Sequence, residues 1–332
     1  MQTLGKLTLG FLLLATMICI NGCGYHGDKE KYYLIAVNIQ LPYWQAAGSG
    51  IRRATHEMQV QSQFSGPDTY DAPAEVEEFR KAVAAKPAGI LVSPADPKLM
   101  GPEIDKAIEA GIPVVTVDSD APQSKRLFYI GTNNYDAGQL GAQVAIKQTN
   151  GKGNFMVFTM PGQANLDARL DGYRKAFATH PEMKIVQVID IHGQSTAAFD
   201  AAGASLAKKG AEKINGYICL EASAAKEVAQ VLRNYKITDR VIIAMDTDQE
   251  TLDAIRDGTI AATIAQKPAT MTYVGAMMLD TLHHHLPSSL SMNWASDPYS
   301  PVPAYVDTGA TLIDKSNVDD FIKSRDAAAS NK

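Results

Sequence analysis

Cysteine is scarce in this chain: its 332 residues include only Cys19, Cys23 and Cys219. The first two lie in an N-terminal leader, so Cys219 stands alone in the body of the chain and no disulfide within the fold is expected. Cys219 falls in the apolar run Tyr217-Ile-Cys-Leu220 and reads as a small core hydrophobe rather than a reactive thiol. A basic excess is also missing. Against 36 Asp+Glu stand 31 Lys+Arg, a net charge of −5, which argues against a nucleic-acid binder that must replace counterions. Beyond residue 20 no apolar run approaches the roughly 20 residues that span a bilayer. Walker-type, Gly-x-Ser-x-Gly and Cys-x-x-Cys motifs are absent. With 45% apolar and 20% charged residues, the composition is that of a globular protein and excludes disorder and collagen-like repeats. The length suggests two domains, because single cores stop growing at about 250–300 residues.

The one long apolar run is N-terminal. Leu7 to Ile20 is preceded by Lys6 and followed by Ile20-Asn21-Gly22-Cys23. It is too short to span and has the size of a secretory h-region. The junction resembles a bacterial lipobox. Residues 1–22 are therefore expected to be a lipoprotein signal peptide, Cys23 the lipidated mature N-terminus and 23–31 a tether. A plain secretory signal and an uncleaved anchor are the alternatives. The expected location is outside the cytoplasm, in the periplasmic space or at the cell surface, held to the membrane by lipid.

The chain also contains a second copy of itself. Lys86-Pro-Ala-Gly-Ile-Leu-Val-Ser-Pro-Ala95 aligns with Lys213-Ile-Asn-Gly-Tyr-Ile-Cys-Leu-Glu-Ala222. Val114-Val-Thr-Val-Asp118 aligns with Ile242-Ile-Ala-Met-Asp246, and Gly50-Ile-Arg-Arg-Ala54 with Gly172-Tyr-Arg-Lys-Ala176. Three matches in order, at nearly constant offset, indicate two lobes of one topology. In each copy short apolar runs alternate with helical periodicity. Strands are expected at 33–39, 89–92 and 114–117, then at 155–158, 185–191, 216–220 and 241–245. Unbroken apolar strands are buried on both faces, which predicts α/β lobes with parallel sheets covered by helices.

Ligands of such sheets sit beyond the carboxyl ends of the strands. Asp118 and Asp246 each directly follow a strand at equivalent places in the repeat, and Glu221 follows the strand at 216–220. Facing lobes would bring these carboxylates to one cleft. The competing reading is that each acid caps the next helix. It is strongest for Glu221, ahead of a helix at 224–235, and weakest for Asp118, which a loop follows.

With those residues placed, residues 31–325 resemble the periplasmic sugar-binding proteins of the ribose-binding type. The resemblance rests on Pro42-Tyr43-Trp44, Gly111-Ile-Pro-Val-Val-Thr-Val-Asp118, Gly131-Thr-Asn-Asn-Tyr-Asp-Ala-Gly138, Arg169-Leu-Asp-Gly-Tyr173 and Gly258-Thr-Ile-Ala-Ala-Thr-Ile-Ala-Gln266. It implies two Rossmann-like lobes joined by three crossovers, near Thr132, near Gln266 and at 287–300. The N-terminal lobe would comprise 32–132 plus 267–290, the C-terminal lobe 133–266 plus 300–325. It further implies that Tyr43 and Trp44 stack on a sugar ring and that Asp118, Arg169, Asp246 and Gln266 bind its hydroxyls, with Glu221 beside them. Leu41, Ser119, Glu221 and Met245 depart from the ribose-binding pattern, which keeps the sugar class and leaves the particular sugar open. The implied role is capture of a monosaccharide by hinge closure and delivery to the transmembrane subunits of an ABC importer, by a monomer without cofactor, metal or catalysis. For Trp44 the competing reading is a core residue, and for Arg169 a surface pair with Asp167 or Asp171.

His283-His284-His285 invites a metal reading, but consecutive histidines cannot all face one ion, and a solvated helix end is expected. Asp246-Thr-Asp-Gln-Glu250 lacks the glycine and distal Glu of a calcium loop. Two rival functions remain. A sugar-responsive repressor would need a DNA-binding module where the apolar leader lies. A glycosidase would use facing carboxylates such as Asp118 and Asp246.

Overall fold

The structure is a computed structural model that describes residues 26–27, 29–285, 294 and 297–330. The expected signal peptide and Cys23 lie outside the described residues.

The first lobe opens with β1 (Lys31–Ile35), α1 (Pro42–Met58), β2 (Gln61–Ser65), α2 (Ala72–Ala84) and β3 (Gly89–Val92). It continues through α3 (Pro97–Glu109), β4 (Val114–Val117) and β5 (Tyr129–Gly131). The second runs α4 (Asn134–Gln148), β6 (Gly153–Thr159), α5 (Ala164–Phe177), β7 (Met183–Asp190) and α6 (Ser195–Ser205). After these come β8 (Ile214–Cys219), α7 (Ala224–Asn234), β9 (Val241–Met245), α8 (Gln249–Asp257) and β10 (Ala262–Ala265). The chain then returns to the first lobe with α9 (Pro268–His284) and β11 (Tyr305–Asp307), and ends in the second with β12 (Thr311–Asp314) and α10 (Val318–Ser330).

The two sheets have the same order, β11-β5-β4-β3-β1-β2 and β12-β10-β9-β8-β6-β7. The duplication read from sequence is therefore a duplication of topology. All described pairings are parallel except β10 with β12, so the sheets are parallel with one antiparallel edge. The central apolar strands are buried on both faces, as expected, but the one expected at 185–191 is not: it is β7, at the edge of the second sheet, with Val186 and Val188 exposed. In the second sheet Phe155, Val157, Ile218 and Ile243 pack in one layer with α5 residues such as Tyr173 and Phe177. Met156, Phe158, Tyr217 and Cys219 pack in the other, with Val228 and Leu232 of α7. Cys219 is fully buried there and desolvation pushes its thiol well up, consistent with a core role. The strand at β2, Gln-Ser-Gln-Phe-Ser, was not legible: it is a polar edge strand with no apolar run.

Two crossings lie where expected, at Thr132-Asn133 between β5 and α4 and at Gln266-Lys267 between β10 and α9. The third does not. β11 pairs with β5 in the first sheet and β12 with β10 in the second, so the chain crosses between them, at residues 308–310, rather than at 287–300. The described residues from 297 to 307 accordingly extend the first lobe. The cause is packing: Trp294 is buried in the first lobe's core, where Val302 and Val306 also pack, so the chain follows that lobe before crossing. The first and third crossings are tied together. Asn133 N–H donates to Asp307 (3.1 Å) and Thr308 N–H to the Gly131 carbonyl (2.8 Å).

The repeat-equivalent glycines Gly50 and Gly172 have one job in both lobes. A Cβ on Gly50 would lie 2.1 Å from the Ala269 carbonyl of α9, and one on Gly172 would lie 2.2 Å from the Tyr135 carbonyl of α4. Each glycine thus lets the helix that follows its lobe's first strand, α1 after β1 and α5 after β6, meet the helix emerging from a crossing, backbone to backbone. Gly50→Ala and Gly172→Ala should each cost about 1–3 kcal/mol by overpacking. Urea unfolding of the two variants checks this; midpoints equal to the unmodified protein would contradict it.

Candidate functional site

The cavity of interest lies between the lobes, beyond the carboxyl ends of both sheets. All seven residues singled out from sequence line it: Tyr43, Trp44, Asp118, Arg169, Glu221, Asp246 and Gln266. It encloses about 80 Å³, several times the roughly 10–15 Å³ that one water requires. The lobes are closed over it. Gln163 donates to the Tyr70 hydroxyl across the cleft (3.0 Å) and Asn165 to Asp118 (3.2 Å). Gly193 has φ +69°, and a Cβ there would come within 2.2 Å of Tyr70, so glycine permits this approach.

Asp118 and Asp246 are built alike. Each follows the fourth strand of its lobe in chain order, β4 or β9, in the left-handed region at φ 62° and 65°, which is uncommon outside glycine and favours Asp and Asn among the rest. Each backbone N–H donates to the neighbouring strand, Asp118 to Ile130 (2.9 Å) and Asp246 to Ile264 (3.0 Å). Each carbonyl accepts a hydroxyl from that strand, from Tyr129 for Asp118 (2.6 Å) and from Thr263 for Asp246 (2.7 Å). The turn aims both carboxylates into the cleft. Neither caps a helix: Asp248 caps α8 through Thr251 N–H (3.0 Å). Asp118 instead accepts from Tyr43 Oη (2.6 Å), Asn165 and Ser93 (3.4 Å).

Arg169 is buried at 2% exposure and forms no surface pair; Asp171 is bonded by Arg174 instead. Its Nε donates to Asn134 Oδ1 (2.8 Å), Nη1 to the Leu220 carbonyl (2.6 Å) and Nη2 to Gln266 Oε1 (2.8 Å). Gln266 Nε2 in turn donates to Asp246 (3.2 Å). Three of the five guanidinium N–H groups are thereby used. Glu221 does both things expected of it. It lines the cleft, and its oxygens accept from Ser223 N–H and Ala224 N–H (2.7 Å each), capping α7. Trp44 also meets both readings, since it is part of the first lobe's core and lines the cavity. Its ring stands edge-on to Tyr43, at 89° with centroids 5.1 Å apart.

Further polar residues that sequence reasoning did not single out line the cavity, among them Asn38, Ser93, Gln163 and Asn165. Asn38 and Ser93 follow β1 and β3, so the strand-end rule that found Asp118 reaches them too. Asn165 precedes Arg169 by four residues, one turn along the same face of α5. Of the departures from the ribose-binding pattern, Leu41 lines the cleft and Met245 is buried beside Ala137 and Ile264.

Burial dominates the electrostatics. It pushes Asp246 up to about 7, opposed by Arg169 and reinforced by the Asp118 charge. Asp118 and Glu221 are also raised by burial, and Arg169 opposes both shifts. The Tyr43 hydroxyl is held well above its usual range, by burial and then by the Asp118 and Asp246 carboxylates. With burial in the closed cleft as the largest cause of the rise, closure is expected to take up a proton at Asp246 where the open form would be ionised. An acid raised in the closed state favours closure fully below its ordinary value near 4 and loses that contribution as pH rises towards 7. The loss is on the order of 4 kcal/mol for a three-unit shift. Ligand-free protein should thus be more compact at pH 5 than at pH 8 by small-angle scattering, and Asp246→Asn should remove the step near pH 7. A radius constant from pH 4 to 8 would contradict this.

Residues 32–284 match the family model described as a periplasmic binding protein domain. Among curated proteins, the xylose/arabinose-binding protein XylF of Sulfolobus acidocaldarius is 24% identical over 298 residues, covering 85% of this chain and 70% of that protein. The D-allose-binding periplasmic protein of Escherichia coli is 23% identical over 260 residues, covering 75% and 83%. Among solved structures, the arabinose-binding protein AraP of Geobacillus stearothermophilus superposes with a TM-score of 0.74 at 33% identity, covering 89% of this chain and 99% of that one. The glucose-galactose binding protein GanP of the same organism gives 0.78 at 27%, covering 88% and 99%.

Proposed function

The chain belongs to the periplasmic binding protein family, and on that premise we propose that it is the extracytoplasmic receptor of an ABC-type importer, closing its two lobes on one monosaccharide. The observation that carries this reading is the pair Asp118 and Asp246. They stand at equivalent strand ends of the two lobes and reach one cavity from opposite sides, with Arg169 between. Sugars offer a rim of hydroxyls and apolar C–H faces. Carboxylates accept from hydroxyls, a guanidinium donates in a fixed fork, and an aromatic ring covers a face. Tyr43, Trp44, Asp118, Arg169, Glu221, Asp246 and Gln266 are proposed to supply these contacts, joined by Asn165 and Ser93. The names of the relatives, which bind arabinose, xylose, allose or glucose and galactose, support the sugar class.

The family comprises binding proteins of transport systems, not enzymes. A glycosidase needs a general acid beside a scissile bond, and a cleft closed over so small a volume favours a single sugar unit held without a glycosidic partner. Binding affinity tests the assignment. Asp118→Ala and Asp246→Ala each remove a charged hydrogen-bond partner, worth roughly 1.5–3 kcal/mol, which is about a 10- to 150-fold loss. Each should also lose about 1–3 kcal/mol of ligand-free stability, because Ala is strained at φ near +60° and buried donors such as Tyr43 and Gln266 lose their acceptor. Arg169→Ala should lose both affinity and stability, since its bonds reach two crossings. Calorimetric titration over pentoses, hexoses and polyols, with denaturant melts, separates these effects. Unchanged affinity in both Asp variants would mean that the sugar binds elsewhere.

Lipid anchoring through Cys23 is part of the proposal, supported by the Leu7–Ile20 run and the Gly22-Cys23 junction. No helix among the described residues is long and apolar enough to cross a membrane. Two or more acyl chains hold a protein stably where one does not. Cys23→Ala should therefore shift the protein from the membrane fraction to the soluble one or leave it uncleaved, and mass spectrometry of the membrane fraction should find a diacyl or triacyl Cys23. An unmodified Cys23 would exclude the anchor.

A further inference from the structure

At the end of the first lobe remote from the cleft, four metal-ligating side chains converge. His26 and Glu30 belong to the segment that enters β1, while Asp280 and His284 lie one turn apart near the end of α9. One ligand atom from each falls within 4.8 Å of the others. His26 Nε2 lies 3.1 Å from Asp280 Oδ1. His284 Nε2 lies 3.0 Å from Glu30 Oε2 and 3.8 Å from Asp280 Oδ1. A tetrahedral zinc ion with bonds of about 2.0–2.1 Å sets its ligand atoms about 3.3–3.4 Å apart, and these three spacings bracket that value. The side chains are well sheltered, from 9% exposed for Asp280 to 19% for His26.

The outer contacts orient the ligands. The Tyr32 hydroxyl donates to Asp280 Oδ1 (2.9 Å), and Gly27 N–H donates to Glu30 Oε1 (2.5 Å), which turns Oε2 towards His284. Burial works against ionisation of Glu30, yet the Gly27 N–H and the His284 ring hold its carboxyl below the usual range. Two sheltered carboxylates and two neutral imidazoles, with one divalent cation, sum to zero charge. Shielded ionic groups are stable when paired or bound to metal.

We propose that His26, Glu30, Asp280 and His284 form a binding site for a divalent transition ion, zinc before others, that fastens the N-terminal segment to the end of α9. Two imidazole ligands select against magnesium and calcium, which take oxygen. Four protein ligands with no open position make a structural rather than a catalytic centre. Consecutive histidines cannot all face one ion, and only His284 of the three takes part, while His283 lines an apolar groove beside Leu282 and Trp294. The partner imidazole comes from 258 positions earlier, between His26 and His284, which no local motif reveals. The site anchors the chain where the tether meets the folded body and leaves the sugar cleft untouched.

The test uses the full chain without a histidine tag, stripped with EDTA and titrated with Co²⁺ and then Zn²⁺. One Co²⁺ per chain should bind with release of protons and the intense visible absorption of tetrahedral cobalt, and one Zn²⁺ should displace it with loss of that absorption. Zn²⁺ should also raise the melting temperature. His26→Ala and His284→Ala should each weaken binding at least about tenfold, and Tyr32→Phe by about 10- to 100-fold as a loss of outer support. His283→Ala should change nothing. Because His26 precedes the first strand, His26→Ala tests the site without disturbing the lobe. Absent or pale octahedral absorption, affinity unaffected by His26→Ala, or affinity lost with His283→Ala would each overturn the proposal. Sugar affinity, titrated in parallel, should be the same with and without metal.

Discussion

The buried guanidinium of Arg169 holds the architecture together. Taking such a charge out of water is expensive unless every side of it is answered, and the fold answers with groups from three places. Asn134 stands just past the first crossing, Gln266 at the second, and the Leu220 carbonyl at the end of β8. The residue that reaches the cleft is thus bonded to two of the strands of chain on which the lobes turn. A rotation about those crossings must keep these bonds or break them at the cost of a buried unpaired charge, which restricts the lobes to a narrow path. The same charge lets Asp118, Asp246 and Glu221 share one small volume, since it opposes the burial that raises each of them. Without Arg169 three carboxylates would face one another with no cation between.

A single local solution is used twice. In both lobes the chain leaves the fourth strand, turns through a left-handed Asp, and has its carbonyl pinned by a hydroxyl from the next strand. Tyr129 does this in one lobe and Thr263 in the other. The hydroxyl donors differ in kind and size, yet the backbone they hold is the same within a few degrees. The requirement is therefore geometric: an Asp at φ near +60° projects its carboxylate along the strand axis into the cleft instead of back over the following helix. The glycines at 50 and 172 answer a second shared requirement, close approach of the helix after each lobe's first strand to the helix that emerges from a crossing.

These features differ in how far the sequence reveals them. Buried parallel strands announce themselves because burial on both faces forces unbroken apolar runs, and Gly89–Val92, Val114–Val117 and Val241–Met245 have the bounds expected. The strand-end rule then brings Asp118 and Asp246 to one place without any knowledge of tertiary contacts. An edge strand is not obliged to carry that signal: β7 keeps an apolar run and is legible, whereas Gln61–Ser65 has none and escapes. Family resemblance locates two crossings but misplaces the third, because its position depends on where Trp294 finds a pocket in the first lobe, a long-range packing choice. Glu221 shows a different limit: a cap and a cleft residue look identical in sequence, and here one side chain is both. The cluster around Asp280 is illegible for a simpler reason, since two of its members lie some 250 residues from the other two.

The closed cleft satisfies much of its own polarity. Asp118 accepts from Tyr43, Ser93 and, across the gap, Asn165, while Gln163 reaches Tyr70. In the closed form the Asp118 carboxylate is therefore well supplied with donors from its own chain. Asp246 differs, with Gln266 as its hydrogen-bond donor at 3.2–3.4 Å and burial raising it to about 7. A ligand shifts the open–closed balance only by its differential affinity for the two states. Contacts that the empty closed form already makes contribute little to that difference, whereas a hydroxyl donated to Asp246 relieves a group that closure otherwise leaves poorly solvated. Recognition in this cleft is accordingly lopsided: the first lobe presents a carboxylate already organised by its neighbours, and the second presents one whose stabilisation waits for the ligand.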